Sequence, residues 1–171
     1  MSASVERLRL YLSPGHNYFG HHGQAAGQHP MIDTPKLHCL AGRGIEGDGF
    51  LDCKENYNGQ ISFFADEVDQ SLCEEFGVWD KPPSVFRRNV VTRGLHLNSL
   101  IGVEFEVQGI RFLGTAECRP CYWMNQAFHS GAEEALRGRG GLRVRIVTGG
   151  TLKPGAFQIQ PLENGCMHCA R

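Results

Sequence analysis

Glu104-Phe105-Glu106-Val107-Gln108-Gly109-Ile110-Arg111-Phe112-Leu113-Gly114-Thr115 is the stretch that decides the fold. Apolar residues alternate with polar ones on both sides of Gln108-Gly109, a pair suited to a tight turn, so the spacing predicts a β-hairpin. Its second strand, Ile110 to Thr115, leads into Glu117-Cys118-Arg119-Pro120-Cys121. A cysteine acts as a nucleophile or soft-metal ligand only as the thiolate. Arg119, between two cysteines, would stabilise that anion, and Pro120 would stiffen the backbone presenting it. The alternative is a buried cysteine pair at a strand end.

Working outward, the same two-residue period recurs. Leu8, Leu10 and Leu12 alternate within Val5 to Leu12, and short strands are expected over Lys36 to Leu40, Gln60 to Phe64 and Ala156 to Ile159. In Leu142 to Thr148 the residues Leu142, Val144 and Ile146 alternate with Arg143 and Arg145, which places both arginines on one face. Val85 to Val91 reads as a strand carrying Arg87, Arg88 and Asn89, with Thr92 and Arg93 following, a pattern suited to a polar cavity. Val68, Leu72 and Phe76 recur at helical spacing and Gly77 follows as a stop. The acidic start of that helix, Asp66, Glu67 and Asp69, reads as a solvated face. A shorter helix is expected over Ala132 to Leu136. Ser13 to Pro35 is rich in breakers and reads as a loop whose His21 and His22 are solvated. Many short strands with few helices argue for a mainly β, barrel-like single domain over residues 1–160, with a tail over 161–171.

The chain has 171 residues and a formal net charge of −1, without a long basic run, so no nucleic-acid partner is expected. No apolar segment reaches the length of a signal peptide or a membrane span, so the expectation is a cytoplasmic protein with no membrane partner. Seven cysteines without a secretion signal favour thiol or metal chemistry over a disulfide framework.

The thiols allow three readings. Cys118, Cys121, Cys166 and Cys169 form two C-x-x-C knuckles that could hold a structural zinc. Cys118-Arg119-Pro120-Cys121 is also the C-x-P-C of a thiol–disulfide oxidoreductase, although Tyr122 to Phe128 is short for the helix such proteins place after it. The third reading is one soft thiolate ligand among arginines and glycine loops that hold a phosphorylated, dithiolene-bearing metal cofactor.

Ala41-Gly42-Arg43-Gly44-Ile45-Glu46-Gly47-Asp48, Phe86-Arg87-Arg88-Asn89-Val90-Val91-Thr92-Arg93-Gly94, Leu97-Asn98-Ser99-Leu100-Ile101-Gly102, Arg119-Pro120-Cys121 and Gly141-Leu142-Arg143-Val144-Arg145 occur in that order. Together they resemble the MOSC domain, named for the C-terminal domain of molybdenum cofactor sulfurase. The resemblance implies a β-barrel with a few short helices that binds the pyranopterin molybdenum cofactor (molybdopterin) or carries its sulfur. Cys121 would be the molybdenum ligand or persulfide carrier, with Arg119 favouring its thiolate. Arg88, Asn89, Thr92, Arg145, Gly47 and Asp48 would bind the cofactor or substrate. Some relatives reduce N-hydroxylated compounds, which would require a small-molecule substrate and a separate electron-donor or sulfur-donor protein. Gly49 departs from the family pattern, in which a larger polar residue usually follows the aspartate, so that turn would bind differently or be looser.

Overall fold

The computed structural model describes residues 3–5, 7–15 and 29–162. The elements in chain order are β1 (Ala3–Val5), β2 (Arg7–Leu12), β3 (Ile32–Asp33), β4 (Leu37–Leu40), β5 (Gly44–Ile45), β6 (Ile61–Ala65), α1 (Asp66–Phe76), β7 (Val90–Arg93), β8 (Glu104–Val107), β9 (Ile110–Glu117), α2 (Trp123–Ala127), α3 (Ala132–Ala135), β10 (Leu142–Ile146), β11 (Gly150–Leu152) and β12 (Phe157–Pro161). The hairpin expected over 104–115 is β8–β9. Gln108 and Gly109 both adopt positive φ, 51° and 79°, which is the backbone of a tight turn matching strand twist.

Nine strands form one sheet in the order β1-β12-β8-β9-β10-β6-β7-β2-β3, and β11-β4-β5 form a second. Every pairing is antiparallel except β6 with β7, which are joined through α1 as a β-α-β unit. The expected barrel is not formed: among the described residues no ladder joins the two edges of the large sheet. The reason lies in the N-terminal chain. β1 pairs with β12 at one edge, while β2, beginning two residues after β1 ends, pairs with β7 near the other. Two consecutive residue steps span at most about 7 Å, so the sheet curls until these positions approach. One short segment then passes from one ladder to the other, and no pair of full strands is left to zip the edges.

Strand alternation sorts the apolar residues into two cores. Leu10, Ile61, Phe63, Val90, Phe105, Phe112, Leu142 and Val144 pack inside the curl. Tyr11, Phe64 and Val91, their neighbours on the opposite face, pack with Leu72, Phe86, Met124, Phe128 and Leu136 under the helices. Among the described residues no helix is long and apolar enough to cross a membrane.

α1 ends as expected at Gly77, in the left-handed conformation with φ 65°. Of its acidic first turn Glu67 is exposed as expected, but Asp66 and Asp69 are not, because the helix tucks them against the sheet. Asp66 is 4% exposed and ion-paired with Arg93 of β7 at 2.5 Å, and Asp69 is 7% exposed. One Asp69 oxygen, Oδ1, is buried without a hydrogen-bond partner. Burial, and then the Asp66 charge, push the Asp69 carboxyl up to about 6, with Arg9 opposing. An unfolded aspartate titrates near pH ~3.9. Between about pH 4 and 6 the folded chain therefore keeps a proton that the unfolded chain has lost, and stability falls as pH rises through that window. Asp69→Asn is expected to remove this slope and to raise stability at pH 7 by roughly 1–2 kcal/mol. Denaturant melts at pH 4, 5, 6 and 7 check it; a slope unchanged in the variant counts against the assignment.

Candidate functional site

The site forms where three chain segments leave the curled sheet. The first follows β9. Cys118 N–H donates to Gly141 O at 2.8 Å, holding the cysteine segment beside the glycine loop that precedes β10. That contact requires Gly140, since a Cβ there would lie 2.1 Å from Cys118 O and 3.4 Å from Pro120 Cδ. Cys118 is buried and Cys121 half-buried, and both are free thiols. The backbone makes no turn or bend from Cys118 to Cys121, and the helix that follows, α2, has five residues.

The second segment, Arg87 to Asn89, was expected to be strand. The chain instead forms a 3₁₀ turn over Pro83–Phe86, and Arg87 is left-handed with φ 58°, so pairing begins only at Val90. Proline at the start of the turn presets its φ, and the left-handed residue reverses the chain toward the cavity. Arg87 Nη1 donates to His29 O (2.9 Å) and Nη2 to Ser13 Oγ (3.2 Å). Burial lowers the Arg87 guanidinium from its ordinary value, and Asp48 opposes that shift. Arg88 donates from Nε to Gly140 O (3.0 Å) and from Nη1 to Phe86 O (2.9 Å), tying this segment to the glycine loop.

Asn89 uses all four side-chain hydrogen-bonding positions within the protein. Oδ1 accepts from Ser62 N and Ser62 Oγ, both at 3.1 Å. Nδ2 donates to Tyr11 O (3.3 Å) and Asp48 Oδ2 (3.4 Å). The amide is thus a strut that fixes the wall. Asp48, in the third segment, also accepts from Phe50 N–H at 2.9 Å. The turn at Gly49 is not loose: its N–H donates to Ser13 O (2.8 Å), and a Cβ there would lie 2.7 Å from the Gly15 carbonyl carbon.

These segments enclose a cleft of about 230 Å³. Of the residues expected at the site, Cys121, Arg119, Arg88, Asn89 and Asp48 line it, and Thr92, Arg145 and Gly47 do not. Thr92 is 1% exposed with its hydroxyl toward Phe64 O. Arg145 reaches Asn56 and Asn58. Gly47 faces Leu12. Arg87, Arg143, Tyr57 and Ser62 also line the cleft. Arg143 was signalled by its alternation with the core residues of β10, whereas nothing local marks Tyr57. Four arginines against one carboxylate make the cleft strongly cationic. Arg119 and Arg143 are exposed, and their guanidinium groups make no hydrogen bond or ion pair among the described residues. The Tyr57 phenol is raised from its ordinary value by burial, with the Arg143 charge opposing.

The zinc reading includes Cys166 and Cys169, which lie outside the described residues, as do His21 and His22. Among the described residues no group of three or more His, Cys, Asp or Glu could hold a metal ion.

The MOSC domain model matches residues 55–157. The chain belongs to the MOSC domain family. The matched region of this MOSC chain contains the arginine, cysteine and β10 motifs but not Gly47-Asp48, although Asp48 reaches the cleft. Among solved structures, YuaD of Bacillus subtilis superposes with a TM-score of 0.71, at 19% identity over 95% of this chain and 98% of that one. YiiM of Geobacillus stearothermophilus gives 0.67, at 15% identity over 95% and 77%. YiiM of Escherichia coli gives 0.62, at 17% identity over 93% and 71%. At such identities these likenesses show the fold alone. No curated protein matches the chain significantly in sequence.

Proposed function

We propose that this MOSC domain binds a phosphorylated pyranopterin molybdenum cofactor in the cleft, with the Cys121 thiolate as the molybdenum ligand. The observation that carries the reading is a half-buried thiol in a cleft bearing four arginines and one carboxylate. The donor set suits the group: sulfur is the soft ligand that molybdenum accepts, and guanidinium forks match phosphate oxygens. A cleft of about 230 Å³ is small beside the roughly 300–1,000 Å³ of most ligand pockets. It would hold the metal end, leaving the rest of the cofactor toward the mouth.

Arg119, exposed beside Cys121, would favour the thiolate. Arg88 would offer Nη2, since its Nε and Nη1 are held by backbone carbonyls. Arg143 would supply a second free guanidinium at the mouth. Asn89 and Asp48 would keep the wall in place, and Thr92, Arg145 and Gly47 would act from outside the cleft. When bound, molybdenum supplies two-electron chemistry at an open coordination position.

The small cleft volume also suits a second reading, in which Cys121 carries a persulfide and no pterin is held. The test is metal analysis together with pterin fluorescence after oxidation, on protein from a host that makes the molybdenum cofactor. Molybdenum and pterin are expected in the wild type, reduced at least about tenfold in Cys121→Ala and retained in Cys118→Ala. Wild-type protein without molybdenum overturns the reading. Cyanide-releasable sulfur on Cys121 in that protein would establish the sulfur carrier instead.

A further inference from the structure

We propose that Arg145 is a positioning residue: it clamps the 50–59 segment as a strap across one side of the cleft and so sets access to Cys121. This rests on the reading of the Cys121 cleft as the site, and it gives Arg145 a role different from direct contact with an anion.

Arg143 and Arg145 share the outward face of β10, whose burial alternates along the strand. They do different work. Arg143 lines the cleft, whereas Arg145 Nη2 donates to Asn56 O at 2.8 Å and to Asn58 Oδ1 at 2.6 Å. From the neighbouring strand β9, Thr115 Oγ1 donates to Asn58 O at 2.6 Å. β10 thus holds Asn56 and Asn58 of the strap and β9 also holds Asn58, with Tyr57 between the two asparagines. The other arm is held at Asp52, where Arg43 donates through Nε at 2.9 Å and Nη2 at 2.6 Å. Both of those side chains are more than half exposed, so that ion pair is the weaker hold.

The strap doubles back on itself. Asp52 and Asn56 are left-handed, with φ 52° and 53°, a conformation that Asp and Asn tolerate better than most residues. Phe50 and Tyr57 meet across the bend, stacked with ring centroids 5.8 Å apart and 8° between planes. Both rings line the cleft, with Gly59 beyond them. Phe50 and Tyr57 line the same cleft as Cys118 and Cys121, so the strap and the thiol segment share one space.

Arg145 holds the strap under an unusual constraint. Its Nε is buried and has no hydrogen-bond partner, and the acceptors at its Nη2 are a neutral carbonyl and a neutral amide. A half-buried guanidinium whose Nε is an unmatched buried donor, and whose acceptors are neutral, is not the arrangement that maximises stability. It suits a hold that keeps a wall in register yet lets it open.

The experiment uses the full chain with Arg145→Gln and, separately, Asn58→Ala. Alkylation of Cys121 by iodoacetamide is followed by mass spectrometry, with amide hydrogen exchange over 50–59. Arg145→Gln removes both donations of the clamp and Asn58→Ala removes one, so Cys121 alkylation is expected to speed up about tenfold in the first and less in the second, with raised exchange over 50–59 in both. Protection in β8 and β9 should stay unchanged. If Arg145 instead contacts an anion directly, Arg145→Gln alters molybdenum or pterin content while alkylation and exchange match the wild type, which overturns the clamp. Unchanged alkylation in Asn58→Ala overturns it too, and covers the case in which the arginine variant fails to fold. Neither readout needs cofactor in the cleft, so the clamp and the cofactor reading can fail separately.

Discussion

Gly140→Ala is expected to cost about 3 kcal/mol or more of stability and to abolish the cofactor binding proposed above even where the protein still folds. Gly140 is buried and its added Cβ would sit 2.1 Å from the carbonyl oxygen of Cys118, with Pro120 Cδ on the same side at 3.4 Å. Neither neighbour is the free end of a side chain, so no rotamer change relieves the contact. Either the cysteine segment or the glycine loop must move by about an ångström. Cys118 N–H to Gly141 O and Arg88 Nε to Gly140 O span the same junction, so the displacement breaks both or drags Arg88 and Cys121 with it. Gly138→Ala, two residues away, is the control. Its Cβ meets nothing within 4 Å, and the residue has a φ of +78°, so only backbone strain of about 1–2 kcal/mol remains. Thermal melts of both variants, with molybdenum content of whatever folds, check the pair. Equal melting temperatures would mean that the cysteine segment yields freely, and the rigid presentation of Cys121 argued above would fail.

The contrast between these two glycines shows what the sequence could convey. The β8–β9 hairpin was legible because its signals are local: alternation on both sides and a turn pair able to adopt positive φ. α1 was legible for the same reason, through Val68, Leu72, Phe76 and Gly77. The strand expected over Val85 to Val91 failed at a local event without a local signal, since a left-handed arginine is not marked by its residue type. β3, β5 and β11 have two or three residues each and exist through long-range pairing, as Gly150 with Cys39 shows, so nothing in their own sequences announces them.

The site was legible to the extent that it is a set of short motifs. Cys121, Arg119, Arg88, Asn89 and Asp48 come from three separated stretches, and the fold brings all five to one cleft. Thr92, in one of those stretches, and Arg145, in the β10 motif, point elsewhere, because a strand sends successive side chains to opposite faces and a neighbouring loop can claim an outward one. The acidic turn of α1 was misread for a related reason. Charge at a helix N-terminus is favourable in solution, so only the packing of α1 against β6 and β7 reveals that Asp66 and Asp69 are buried.

Phe63→Ala is expected to lower stability by about 3–5 kcal/mol, or about 6–20 °C in melting temperature for a domain of this size. Phe63 is 1% exposed at the centre of the inner core, 5.9 Å from the Phe105 ring and 5.8 Å from Phe112 in an edge-to-face contact. Its partners come from both strands of the β8–β9 hairpin, so the cavity left by truncation opens between β6 and that hairpin. Collapse would require those strands to move, and their ladders to β10 and β12 resist it. The backbone of Phe63 also supports the site. Its carbonyl would lie 2.4 Å from a Cβ on Gly141, and Ser62, the preceding residue, braces Asn89. Ser62→Ala removes the hydroxyl part of that brace, keeps the backbone N–H to Asn89 Oδ1, and should lower stability by only about 1 kcal/mol. Chemical denaturation of the two variants separates the roles: a Phe63→Ala loss no larger than that of Ser62→Ala would mean that the inner core repacks around the gap, and that the cleft wall is not held by the rigidity of the sheet beneath it.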